Sequence, residues 1–333
     1  MPINIPTAEF QLLFLKKIRH LLDEGSFSST YKYALLITLA DLSVEFGQDN
    51  GDSLELSIND IAKKFIVQYW GHSKPYSNGK TLFQNSNKQA AIIHTTNYTF
   101  PNMEKNVVAK VASTVKKMPL WKLQCVHGEI DEFLYAHTGE GNTITLLSGV
   151  MYCFRKFHDI VASMVRGEWV ACVRSFKKNV GILGFDNLQN FLFGSQRADL
   201  TLYVDLLEDL QERKCFYCEK GIRSDPHVDH FIPWSRYPHD LGHNFVLAHK
   251  SCNCSKRDML ASVEHLENWA ERNKMFGSQM ENYFMENNLL HDLKNSVAIA
   301  KWAYSQAEDT ESHLWVESKV VIESNNAWKS VLA

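Results

Sequence analysis

The sequence predicts a mainly α protein carrying a small α+β module. Three observations predict it. Apolar residues recur at helical spacing through most of the first two hundred positions and again after residue 258. Only short stretches alternate with period two. Four of the seven cysteines, Cys215, Cys218, Cys252 and Cys254, crowd into forty residues between those helical regions. At 333 residues, with 45% hydrophobic and 22% charged residues, the composition is globular, and about two domains are expected. Residues 1–196 are assigned to a mostly helical N-terminal domain. Residues 197–333 are assigned to a second domain with its core at 210–260 and a helical extension.

Along the chain, residues 7–23 read as a helix with Thr7 as N-cap and Gly25 as stop, and 29–46 as a second, largely apolar helix. A short strand at LELSI leads to a helix over 59–70 capped by Ser57. This succession resembles a helix-turn-helix, but the pattern is common and is read as a plain helical core. Residues 71–102 read as a long loop with a short strand at AAIIHTT, and 102–118 as a helix. A hairpin is expected around Gly139 to Asn142. A long helix over 150–178, broken at Gly167, carries Arg155, Lys156, Arg166, Arg174, Lys177 and Lys178, read as a solvated face. The glycine-punctuated stretch 181–194 suits a boundary. A helix over 197–213 runs into the cysteine cluster, helices follow over 259–273 and 279–307, and HLWVESKVVIE ends in a strand.

Charge excludes little. The formal net charge is −3, made of 0 over residues 1–100, +3 over 101–200, −1 over 201–258 and −5 over 259–333. No segment is strongly basic, so a general electrostatic grip on nucleic acid is weak, and a partner subunit or homo-oligomer is expected to add affinity. No run reaches about 18 apolar residues, so no membrane span is expected. The N-terminal residues lack the pattern of a signal peptide, and the chain is read as cytoplasmic. Cys125, Cys153 and Cys172 sit alone in apolar surroundings and read as core.

The segment that carries chemistry begins at Cys215-Phe-Tyr-Cys218 and continues through His227-Val-Asp229-His230-Phe-Ile-Pro233. It ends with His243-Asn244 and His249-Lys-Ser-Cys252-Asn253-Cys254-Ser-Lys256-Arg257. Cys215 with Cys218, and His249 with Cys252, repeat one spacing. Together they offer three thiolates and one imidazole, the closed tetrahedral set of a structural Zn²⁺. Cys254 competes with Cys252, which keeps the two-residue gap.

The order Cys-x-x-Cys, Asp-His-x-x-Pro, Asn before an apolar strand, and Cys-Asn-x-x-Lys resembles the HNH endonuclease family, of the zinc-stapled ββα-metal (His-Me finger) kind. The resemblance covers about residues 210–260. It departs from the usual pattern at His249, where cysteine is common, and at Asn253, which stands where the motif has its last histidine.

The resemblance implies a metal-dependent endonuclease, most simply acting on double-stranded DNA. His230 is the general base, since an imidazole is largely neutral at pH 7. Asp229, on the other side of the pleat, and Asn253 offer hard oxygen ligands to one Mg²⁺ or Mn²⁺. Asn244 is expected to accept the second ring N–H of His230. Water deprotonated by His230 attacks phosphorus in line, leaving a 5′-phosphate and a 3′-hydroxyl. Lys256 and Arg257 are expected to contact the nucleic-acid backbone. His227 could join the metal site, and Asp225, Asp240 and Asp258 could recruit a second ion. Restriction or anti-phage defence suits such a chain by association. Two other readings are an RNA-cleaving enzyme and a catalytically silent zinc module that binds nucleic acid or a protein.

Overall fold

In the computed structural model the described residues are 5–25, 27–76, 79–95, 103–136, 141–184, 187–194 and 197–333. The chain divides into two compact units, residues 1–194 and 195–333.

The first unit is helical. Its helices are α1 (Ala8–Glu24), α2 (Tyr31–Phe46), α3 (Ile58–His72), α4 (Ala91–Thr95), α5 (Lys105–Lys117), α6 (Pro119–Lys122), α7 (Val150–Lys156), α8 (His158–Ser175) and α9 (Leu188–Phe193). The Thr7 hydroxyl accepts from the Phe10 N–H and starts α1, and Ser57 does the same for α3 through Asn59. The centre of the unit is α2, buried on every side from Lys32 to Glu45. A helix so placed must satisfy its polar side chains internally. Asp41 accepts from His158 Nε2 at 2.8 Å, and Glu45 pairs with Lys64. Arg155 donates to the carbonyls of Ser43, Val44 and Gly47 and so closes the C-terminus of α2. Arg155 is therefore not part of a solvated basic face.

Three sequence expectations in this unit are corrected. AAIIHTT contains the single-turn helix α4 rather than a strand, because Ile92 and Ile93 are both buried and the Ile92 N–H donates to the Tyr31 hydroxyl. The long helix breaks at Phe157, not Gly167, where the chain turns to bring His158 onto Asp41. Strand β4 (Thr143–Leu146) pairs along its length with the distant β1 (Leu54–Ser57), and among the described residues of the expected hairpin only Tyr135 bridges Leu146. Residues 137–140 of that hairpin lie outside the described residues. A further two-residue pair joins β2 (Cys125–Val126) with β3 (Glu129–Ile130).

The second unit opens with a 3-10 helix over Arg197–Tyr203 and α10 (Val204–Leu210), where one helix was expected. Strands β5 (His227–His230) and β6 (Phe245–Ala248) pair antiparallel, with His230 opposite Phe245, and α11 (Lys250–Lys256) follows. The C-terminal region holds α12 (Val263–Glu286), α13 (Leu293–Asp309), a hairpin of β7 (His313–Glu317) and β8 (Val320–Glu323), and α14 (Trp328–Val331). The expected break near 274–278 does not occur. Gly277 lies inside α12, where a Cβ would come within 2.8 Å of Leu293. The glycine serves close approach of α13 rather than a stop. The expected single terminal strand is a two-stranded hairpin. Among the described residues no helix is long and apolar enough to cross a membrane.

Candidate metal centre and catalytic cleft

The site is a β-hairpin followed by a short helix, buttressed at both ends. At the first end, Cys215, Cys218, His249 and Cys252 bring their ligand atoms within 4.8 Å of one another. The turn between Cys215 and Glu219 is closed by the Cys215 N–H to Lys220 and the Glu219 N–H to Cys215. Phe216 donates to Leu247 and so fastens the turn to β6. His249 caps α11 and sets Cys252 one turn later. Its Nδ1 lies 3.3 Å from Cys218 Sγ, while its Nε2 contacts the Gly221 carbonyl at 3.3 Å. A proton held at Nε2 by that carbonyl leaves Nδ1 as the metal-binding atom.

The donor set fits a structural zinc ion. Burial, then the neighbouring thiols of Cys215 and Cys218, push the Cys252 thiol up to about 12. A dication held among the three sulfurs supplies the charge that favours the Cys252 thiolate. Cys254 is exposed and lies outside the cluster.

At the other end Asp229, His230, Asn253 and Arg257 line one cleft of about 720 Å³, together with Asp225, His227 and Asp258. His230 is buried. Its Nε2 lies 2.6 Å from Asp240 Oδ1, and its ring stands edge-on to Phe245. Asn244 does not hold that ring. Its Oδ1 accepts from the Ile232 N–H at 2.8 Å and its Nδ2 donates to the Ile232 carbonyl at 3.0 Å. The amide thus replaces a strand partner for the backbone just past β5. The expectation for Asn244 is corrected: it shapes the loop, and Asp240 is the residue on the imidazole.

Lys256 is also corrected. Its side chain is fully buried, with Nζ 3.0 Å from Asp229 Oδ2 and donating to the His230 carbonyl at 3.0 Å. It cannot reach a phosphate in solvent. The last turn of α11 faces inward at this position, and the ammonium there offsets the buried Asp229 carboxylate. Asp229 Oδ2 also accepts from the Tyr217 hydroxyl at 2.6 Å. Burial first, and Asp229 second, hold the Tyr217 hydroxyl well above its ordinary pKa, so it remains a donor. Among the described residues Oδ1 of Asp229 has no such partner. Arg257 is exposed at the cleft, with φ +52° and ψ −125°. That conformation costs a non-glycine residue about 1–3 kcal/mol. His227 faces the cleft beside Asp225, 3.6 Å away.

The loop between β5 and β6 is gripped from α12, which the sequence did not flag. The His243 carbonyl accepts from Trp269 Nε1, Arg272 Nη2 and Asn273 Nδ2, and Arg272 Nη1 donates to the Phe245 carbonyl. Burial lowers the Arg272 pKa to about 9. Trp269 also stacks on Phe231 at 5.2 Å. The signal was present as Trp269, Arg272 and Asn273 on one helical face, a polar group embedded in an otherwise apolar stripe.

Comparison with known proteins agrees with the module. Residues 215–262 match the family model of HNH endonucleases, and residues 12–113 match a domain family of unknown function. No curated protein and no solved structure matches the chain.

Proposed function

We propose that the chain is a metal-dependent endonuclease that hydrolyses DNA, with His230 as general base. The observation that carries the reading is the His230–Asp240 pair, held at 2.6 Å and sharing one cleft with Asp229 and Asn253. The Asp240 carboxylate accepts a proton only if Nε2 carries it, so Nδ1 is the nitrogen able to take a proton from water. Asp240 also steadies the imidazolium formed when the water is deprotonated, which lowers the barrier to attack. The Lys256 contact to the His230 carbonyl and the Asn244 amide on Ile232 fix the backbone at the base and just after it.

Asp229 Oδ1 and the Asn253 amide oxygen are hard donors that suit Mg²⁺ or Mn²⁺, which when bound would supply Lewis-acid stabilisation of the charge on the transferring phosphoryl group. Lys256 at Oδ2 leaves Asp229 little net charge to attract a cation. The site is therefore expected to hold a divalent ion weakly by itself and more tightly once phosphate oxygens join it. Arg257, strained and exposed at the cleft, is the side chain suited to the flanking phosphate. The Cys215, Cys218, His249 and Cys252 set is the structural zinc site. Residues 1–196 would select the target or receive a signal.

Supercoiled plasmid, single-stranded RNA and duplex RNA, each incubated with the full chain and Mg²⁺ or Mn²⁺, test the substrate. Nicking or linearisation of the plasmid, leaving 5′-phosphate ends, is the expected result. Cleavage of RNA alone would replace DNA by RNA as substrate. Binding of nucleic acid without cleavage in either metal would leave a zinc-stapled binding module.

A further inference from the structure

The outer edge of the C-terminal hairpin is an uncovered, apolar strand. Val320, Val321 and Ile322 of β8 are 41%, 45% and 41% exposed, and no proline or glycine interrupts them. Edge strands are usually blunted by charge, proline or a bulge on the open side. Here charges stand only at the ends, Lys319 in the turn and Glu323 at the strand terminus.

The direction of the backbone groups follows from the neighbouring strand. Trp315 of β7 uses both its groups away from β8, donating to Leu260 and accepting from Ser262. It sits opposite Val321, so this is a non-hydrogen-bonded pair of the ladder. The N–H and C=O of Val321, and by period two those of Glu323, therefore point to the open edge. The Ser324 N–H, one residue on, points inward to Ser312. Among the described residues no strand occupies that edge.

We propose that β8 pairs antiparallel with β8 of a second copy of this chain, about a two-fold axis at Val321. That register sets the outward N–H and C=O of Val321 against the same groups of the second copy. It places Val320 opposite the second copy's Ile322 on one face. It also brings Lys319, on the turn just before β8 with φ +67°, next to the second copy's Glu323 at the end of the paired strands, twice by symmetry. The next register permitted by the outward groups, centred on Ile322, sets Glu323 opposite Val321 and loses both charge pairs. The sequence Lys-Val-Val-Ile-Glu is thus complementary to itself when reversed, as an isologous interface requires. The occupant is a second copy rather than an unrelated strand because the two end charges complement each other only in that pairing.

A four-residue edge is smaller than a standard stable interface, so the dimer is weak and in rapid exchange. Where the nuclease reading holds, a two-fold pair of clefts matches the antiparallel strands of a duplex, and joint binding to one duplex reinforces the contact.

Sedimentation velocity of the full chain over a concentration series, without nucleic acid, tests the interface. Wild type is expected to show a reversible monomer–dimer equilibrium. Lys319→Glu and Glu323→Lys each place like charges in both pairs and are expected to weaken dimerisation about tenfold, while the double reversal restores it. Val321→Pro removes an N–H that the monomer does not use, and is expected to give a monomer with an unchanged melting temperature. If that variant melts early, the charge reversals alone decide. A wild type that stays monomeric at every attainable concentration overturns the proposal, as does a dimer indifferent to the charge reversals. Neither result involves cleavage, so the interface and the nuclease reading can fail separately.

Discussion

Lys256 and Arg257 are neighbours in sequence with opposite fates. Both read as phosphate contacts from their spacing after Asn253. Spacing fixes relative position on a helix face, but not whether that face is turned inward. Lys256 is buried against Asp229 and Tyr217, and Arg257 reaches the cleft. Lys256→Met is expected to leave the Asp229 carboxylate buried without its cation. A loss of about 3–5 kcal/mol in denaturant unfolding checks this, and a loss below about 1 kcal/mol would show that the pair is dispensable. Arg257→Gly should relieve the positive φ, so its melting temperature is expected to hold or rise. DNA affinity should fall, and the slope of log affinity against log salt should shrink by about 0.9. Asp240→Asn is expected to lower the cleavage rate about 10–100-fold while substrate affinity stays near wild type, because the amide oxygen can still accept from Nε2–H but carries no charge to steady the imidazolium. A fall in affinity with an unchanged rate would place Asp240 in substrate binding instead.

At the scale of elements, the grouping of Cys215, Cys218, His249 and Cys252 into one donor cluster, and of Asp229, His230 and Asn253 onto one cleft, was legible because all of them lie within forty residues of chain. What the chain concealed is what the tertiary path of loops and helices brings to the site. The Asp240 contact depends on the path of an irregular loop, and the Arg272 clamp on how α12 crosses β6. Gly242 shows the same constraint, since a Cβ there would come within 2.6 Å of the Phe284 ring of α12. The same limit explains the helix breaks: Gly167 and Gly277 look like stops, yet each lies inside a helix. Cys215→Ser removes one of four ligands and should unfold the module, with zinc content falling from one ion per chain toward none. Retention of a full zinc equivalent and an unchanged melt would exclude Cys215 from the ligand set.

For the whole molecule, each unit buries a histidine that desolvation keeps neutral. His72 in the first unit donates to the Leu192 carbonyl from a cage of Tyr69, Trp169 and Phe193. His243 in the second lies against Phe284. Desolvation is the main cause in both cases, and it lowers each pKa from 6.5 to about 4. The sign follows: between those values the unfolded chain takes up a proton that the fold refuses. The contribution of these two histidines to stability is complete above about pH 6.5 and declines as pH falls toward 4. The melting temperature is expected to decline through that window, and His72→Phe to make the decline of the first unit shallower. An identical slope in the variant would show that His72 is protonated in the fold.

In the proposed reaction everything depends on His230 removing the proton from the attacking water. Plasmid cleavage by His230→Ala, prepared with one zinc per chain and a melting temperature matching wild type, measures this directly. The account predicts a rate at least about 100-fold below wild type in both Mg²⁺ and Mn²⁺. Cleavage near the wild-type rate would contradict it and move the chemistry to another residue of the cleft.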